Sequence, residues 1–80
     1  MIWNYRVVER HVDSTTMLEI REVYYTDAGQ PYAFSAAEQS PYGETWDELV
    51  ADLSHFIKAL AQPILQMEEL ERQCAETARE

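Results

Sequence analysis

The chain has 80 residues, with six Lys plus Arg against fifteen Asp plus Glu, and its formal net charge is −9. A chain below about 100 residues builds only one hydrophobic core. A charge this acidic argues against sequence-independent binding to nucleic-acid backbones, because such binding depends on Lys and Arg. Apolar residues make up 46% of the chain, and this share argues against intrinsic disorder.

Membrane and disulfide chemistry are not expected either. The apolar runs are at most three residues long, whereas a membrane-spanning helix needs about 20. We therefore expect a soluble, cytoplasmic protein without membrane contact. Cys74 is the only cysteine in the sequence, so we expect no disulfide within the chain.

Three segments of the N-terminal half have the alternation and the β-branched and aromatic content that are typical of strands. These segments are residues 2–10, 17–26 and 31–38. We expect a polar loop over 11–16 and a hairpin turn at Gly29 between them. The second strand has apolar residues on both faces. We favour burial of the face that carries Leu18, Ile20 and Tyr24.

An amphipathic helix over residues 46–61 is the strongest local signal. Thr45 and Glu48 form a capping box, and Pro63 prevents the helix from continuing. Apolar residues recur every three or four positions, which predicts that this face packs on the sheet. They are Trp46, Leu49, Val50, Leu53, Phe56, Ile57 and Leu60.

A second helix is expected after Pro63, because residues 64–79 contain no Gly or Pro and carry a thin apolar stripe. The predicted fold is α+β: a three-stranded antiparallel sheet packed on one amphipathic helix, followed by a C-terminal helix. We divide the chain into a β-β-β-α core domain (1–62) and an acidic helix (63–80) that docks on the core or pairs between chains. The predicted core comprises Tyr5, Val7, Leu18, Ile20, Phe34, Trp46, Leu49, Val50, Leu53, Phe56, Ile57 and Leu60.

The sequence offers no catalytic residue, no metal ligands and no cofactor site. His11, His55 and Cys74 lie far apart in the chain, whereas metal ligands cluster at short spacings. Glu71 and Glu76 flank Cys74, and neighbouring negative charge disfavours the reactive thiolate. We therefore expect a protein that is not an enzyme.

Association with other proteins is the expected activity. One helix covers one sheet face, so we expect a homodimer built through the open sheet face, an edge strand or the last helix. The acidic surface favours a small basic partner protein over a nucleic acid. The candidate partner-binding residues are Tyr25, Tyr32, Tyr42, Met67, Leu70 and Cys74. A nucleic-acid-mimicking inhibitor, a small-ligand-binding protein and an enzyme stay open as alternatives.

Residues 40–49 (Ser-Pro-Tyr-Gly-Glu-Thr-Trp-Asp-Glu-Leu) follow a predicted strand and lead into the predicted helix. This stretch resembles HicB-like antitoxin domains, in which a Gly-(Asp/Glu)-Thr turn leads into a helix that begins Leu-Glu-Glu-Ala. With its Glu-Val-Tyr-Tyr strand at 22–25, the chain also looks like a group of small bacterial proteins. The HicB-like resemblance implies a partial ribonuclease-H-like β-β-β-α layout and antitoxin-like binding of a partner.

Overall fold

The computed structural model describes residues 2–79 and confirms the α+β class, with a mixed four-stranded sheet and two helices. The strands are β1 (Ile2–Val12), β2 (Thr15–Tyr25), β3 (Pro31–Phe34) and β4 (Leu65–Gln66), and the helices are α1 (Trp46–Leu60) and α2 (Met67–Ala78). The strand order is β3-β2-β1-β4. The first three strands are antiparallel, and the short β4, which the sequence analysis did not predict, pairs parallel with β1.

β1 and β2 form a long hairpin with a tight turn. The predicted loop over 11–16 is wrong, because the strands continue until Val12 pairs with Thr15. Asp13 has a φ of 56°, and a two-residue hairpin turn requires such a left-handed residue. Asp tolerates this conformation better than most residues.

The second hairpin is confirmed, with Gly29 in the left-handed conformation at φ 85°. β3 ends at Phe34, four residues earlier than expected. The segment after it still follows β2 irregularly, because the amides of Ser35 and Gln39 donate to carbonyls of β2 at 2.9 and 2.7 Å. This segment leads the chain to the start of α1.

The two helices lie on opposite faces of the sheet. α1 packs on the face of Tyr5, where Phe56 and Ala59 complete a buried cluster. α2 packs on the other face, against the fully buried Val8 and Val23. Thr77 also fixes the far end of α2 by donating to the carbonyl of Pro31 at 2.8 Å. The C-terminal helix is therefore docked in the same chain.

The predicted core is correct for Tyr5, Val7 and Phe56, which are buried. It is wrong for Leu18, whose exposure is 61%, and for most of the apolar face of α1. The exposed residues of that face are Trp46, Val50, Leu53, Ile57 and Leu60. The favoured face of β2 is the less buried one, because α2 covers the opposite face with Met67 and Leu70.

A buried ion cluster lies on the α2 side of the sheet. The carboxylate of Glu19 accepts hydrogen bonds from Nε of Arg10 at 2.9 Å and from Nε of Arg21 at 3.0 Å. Glu19 and Arg21 are both buried, and the hydrogen bonds from Arg10 and Arg21 hold the pKa of Glu19 below its usual value. These contacts satisfy charges that would otherwise be costly to bury.

Candidate interaction surfaces

One flank of α1 carries a continuous row of large apolar side chains in contact with solvent. We call this row the α1 seam, and it consists of Trp46, Val50, Leu53, Ile57 and Leu60. Their exposed fractions range from 40% for Leu53 to 78% for Trp46. Monomeric proteins seldom expose a contiguous apolar patch of this kind unless another molecule binds it.

The rotation of α1 about its own axis explains the exposure of the seam. The rings of Phe56 and Tyr5 pack with centroids 4.4 Å apart, and the Tyr5 hydroxyl donates to Oδ1 of Asp52 at 3.0 Å. These contacts turn Asp52, Phe56 and Ala59 toward the sheet. The seam is then roughly a quarter of a turn away, because successive residues advance about 100° around a helix.

The opposite flank of α1 borders an open cleft of about 780 Å³, which we call the acidic cleft. Its floor is formed by β1 and β2, and its rim by the segment before α1. Its aromatic and charged lining residues are Trp3, Tyr5, Glu22, Tyr42, Glu44, Glu48, Asp52 and His55. Among the residues that the structure describes, no Lys or Arg lines this cleft.

Hydrogen bonds fix the carboxylates of the cleft. Asp52 accepts from the Tyr5 hydroxyl and, through Oδ2, from the backbone N–H of Tyr42 at 2.8 Å. Burial and the bond to Asp52 raise the pKa of Tyr5 to about 12, so Tyr5 stays a neutral donor. The hydroxyl of Tyr24 donates to the carboxylate of Glu22, which raises the pKa of Tyr24.

The start of α1 is held close to the rim of the cleft. Oγ1 of Thr45 accepts from the amide of Glu48 at 3.1 Å, and the Glu48 carboxylate accepts from the amide of Glu44 at 2.8 Å. The predicted cap at Thr45 is thus confirmed, with Glu44 as the second donor. A Cβ on Gly43 would lie 2.4 Å from the amide nitrogen of Leu49, so this close approach requires glycine.

The predicted partner-binding tyrosines are scattered. Tyr42 is 70% exposed and lines the acidic cleft. Tyr32 is exposed on β3, with its ring 6.4 Å from that of Tyr24. Tyr25 packs against the α2 cluster, and its hydroxyl donates to Oδ1 of Asn4 at 2.8 Å.

The predicted partner-binding residues of the last helix serve the core instead. Met67 and Leu70 are buried against the sheet, with exposures of 9% and 1%. Cys74 is half-buried beside them, and burial raises the pKa of its thiol. The expectation that these side chains face a partner is therefore corrected, because α2 docks on its own sheet.

The sequence analysis missed two features of these surfaces. It did not place Trp3, Asp52 and His55 beside one another, because residues of β1 and α1 meet only in the folded chain. It assigned the α1 seam to the core, because the apolar spacing of α1 does not by itself show which part of that face the sheet covers. Within residues 2–79, no group of three His, Cys, Asp or Glu side chains is placed to hold a metal ion.

The chain matches no family model, and comparisons with curated proteins and with solved structures find no significant match. Neither described helix is both long and apolar enough to cross a membrane.

Proposed function

We propose that this protein is a small non-catalytic interaction module that binds a basic partner protein through the acidic cleft. The observation that carries the proposal is the composition of the cleft, where exposed aromatic rings lie beside carboxylates without a Lys or Arg among the described lining residues. A guanidinium group binds carboxylates through charged hydrogen bonds and stacks on aromatic rings. The cleft offers both kinds of contact.

Exposure of the cleft residues supports this role. Tyr42 is 70% and Trp3 is 41% exposed, so their rings are available to an incoming side chain. The net charge of −9 attracts a basic partner at long range, and this attraction speeds association at low salt. The resemblance to HicB-like domains, with the order of three strands and a helix, favours an antitoxin-like partner class.

A titration with an arginine-rich peptide tests the proposal, with a peptide that carries citrulline in place of arginine as the control. In NMR spectra of the full chain, the arginine-rich peptide should shift the signals of the Trp3 indole N–H and the Tyr42 amide. The citrulline peptide should leave both signals unchanged. Affinity should fall as salt increases, because screening weakens charge attraction. Equal binding of both peptides would contradict the proposal.

Matched variants separate the cleft from the general negative charge. Glu44→Gln removes a charge from the cleft, whereas Glu71→Gln removes one from the exposed surface of α2. We expect Glu44→Gln to weaken peptide binding more than Glu71→Gln. Tyr42→Ala should weaken it about two- to fivefold, the magnitude of an exposed cation–π contact. Equal effects of the two glutamine variants would show that the cleft is not the site.

A further inference from the structure

The α1 seam has the spacing of a coiled-coil interface. Its residues follow one another at intervals of four, three, four and three. A repeat of 3.5 residues is the pattern by which two helices pack their side chains together. β-branched residues occupy one set of alternate positions (Val50, Ile57), and Trp or Leu occupies the other.

The fold leaves this pattern unused within the chain. α1 contacts its own sheet through Phe56 and Ala59, which lie outside the repeat. Ile57 and Leu60 are 67% and 70% exposed. Because the seam lies about a quarter of a turn from the sheet side of α1, the sheet of the same chain does not block access to it.

We propose that the α1 seam packs against the α1 seam of a second copy of this chain, with the two helices antiparallel. A two-fold axis between Leu53 and Ile57 places Leu53 opposite Ile57 of the second copy, and Val50 opposite Leu60 of the second copy. Each contact then occurs twice, as a symmetric dimer requires. Both of these layers pair a β-branched residue with a leucine.

Charge selects the second copy in this orientation. α1 has acidic residues in its first turn, Asp47 and Glu48, and a basic residue, Lys58, in its last turn. Lys58 is the only Lys or Arg from residue 44 to residue 71. Antiparallel pairing brings each Lys58 toward the acidic first turn of the second copy and opposes the helix dipoles. Parallel pairing would place the acidic turns together.

The side of the seam on which these charges lie supports the same arrangement. Asp47 and Lys58 are eleven residues apart in sequence, or about three full turns, so they share one flank of the seam. In an antiparallel pair, this flank meets the same flank of the second copy. In a parallel pair, it would instead meet the flank that carries Leu49 and Phe56.

Sedimentation of the full chain tests the proposal. We expect a concentration-dependent species of twice the 9.3 kDa chain mass. Ile57→Asp should weaken self-association about a hundredfold or more, because the new carboxylate would be desolvated in the interface. Ile2→Asp is the matched control, since Ile2 is 51% exposed on β1, and this variant should still dimerise.

Circular dichroism should show that both aspartate variants stay folded, since each replaces an exposed side chain. A wild-type chain that sediments only at 9.3 kDa would overturn the proposal. Equal weakening of self-association by Ile57→Asp and Ile2→Asp would also overturn the proposal. Because these experiments contain no basic peptide, they are independent of the role proposed for the acidic cleft.

A charge swap tests the orientation. Lys58→Glu should weaken the dimer at least about threefold, since two surface pairs of opposite charge become repulsive. Adding Asp47→Lys to that variant should restore the affinity in an antiparallel dimer, because the charges are again complementary. A double variant that binds no more tightly than Lys58→Glu alone would show that the helices are not antiparallel.

Discussion

At the residue scale, Glu19 shows how an acidic chain accommodates charge in its interior. Its side chain is 5% exposed and lies between Arg10 and Arg21, with exposures of 35% and 7%. The ion pair with Arg10 joins β2 to β1, whereas Arg21 lies on the same strand as Glu19.

Glu19 makes the stability of the fold depend on pH. Its folded-state pKa is below the ordinary value of 4.5, so its contribution is complete above that value and is lost as the pH falls through the folded-state pKa. We expect Glu19→Gln to destabilise the neutral protein by about 3 kcal/mol, near the lower end for broken buried ion pairs, because Arg10 is partly exposed. The free energy of unfolding of this variant should also decrease less than that of the wild type as the pH is lowered.

Urea titrations over a series of pH values measure both effects. Glu69→Gln is the control, because Glu69 pairs with Arg72 at a solvent-exposed site on α2. Exposed pairs contribute little, so this variant should change stability much less than Glu19→Gln does. Equal losses for the two variants would show that burial of Glu19 has no energetic consequence.

At the scale of elements, the two helices differ in how much of their apolar face the sheet uses. α2 has the thinner stripe in sequence, yet it buries Met67 and Leu70. α1 has the stronger apolar periodicity, yet it buries only Phe56 and Ala59. Because α2 follows directly after β4, which pairs with β1, α2 lies against the sheet. The contacts of Tyr5 with α1 instead turn the α1 seam away from the sheet.

Alanine substitutions at two leucines measure this difference. Leu70→Ala should cost about 2–5 kcal/mol, because Leu70 is 1% exposed and leaves a cavity. Leu53→Ala should cost about 1 kcal/mol or less, because Leu53 is 40% exposed. Denaturant titrations at concentrations below self-association give both values. If Leu53→Ala lowered the free energy of unfolding as much as Leu70→Ala does, the result would contradict the rotation of α1 that exposes Leu53.

At the scale of the whole molecule, the C-terminal residues complete the core cluster on one face of the sheet and do not form a separate unit. β4 pairs with β1, and α2 covers the face of Val8 and Val23. The Arg6 guanidinium reinforces this arrangement by donating to the carbonyl of Pro63 at 2.6 Å. Residues 63–79 therefore belong to the fold.

A truncated chain tests this conclusion. We expect a chain ending at Gln62 to lose its cooperative unfolding transition, because the face of β1 and β2 that buries Val8 and Val23 would be exposed. Domains of this size have only a few kcal/mol of stability to lose. A chain ending at Ala78 retains all of α2 and should unfold cooperatively. Near-UV circular dichroism and urea titration distinguish the two chains, and cooperative unfolding of the shorter one would contradict the prediction.

The sequence by itself determined five of the six elements and some of their ends. Alternation specified three strands, Gly29 specified a turn, and Thr45 specified the start of α1, because these signals depend on neighbouring residues and backbone geometry. The tertiary structure decided which apolar faces are buried. Both helices and both faces of β2 carry apolar residues, so only the long-range contacts of Tyr5 with α1, and of Leu70 with the opposite face of the sheet, select among them. The same contacts expose the α1 seam and assemble the acidic cleft from distant residues.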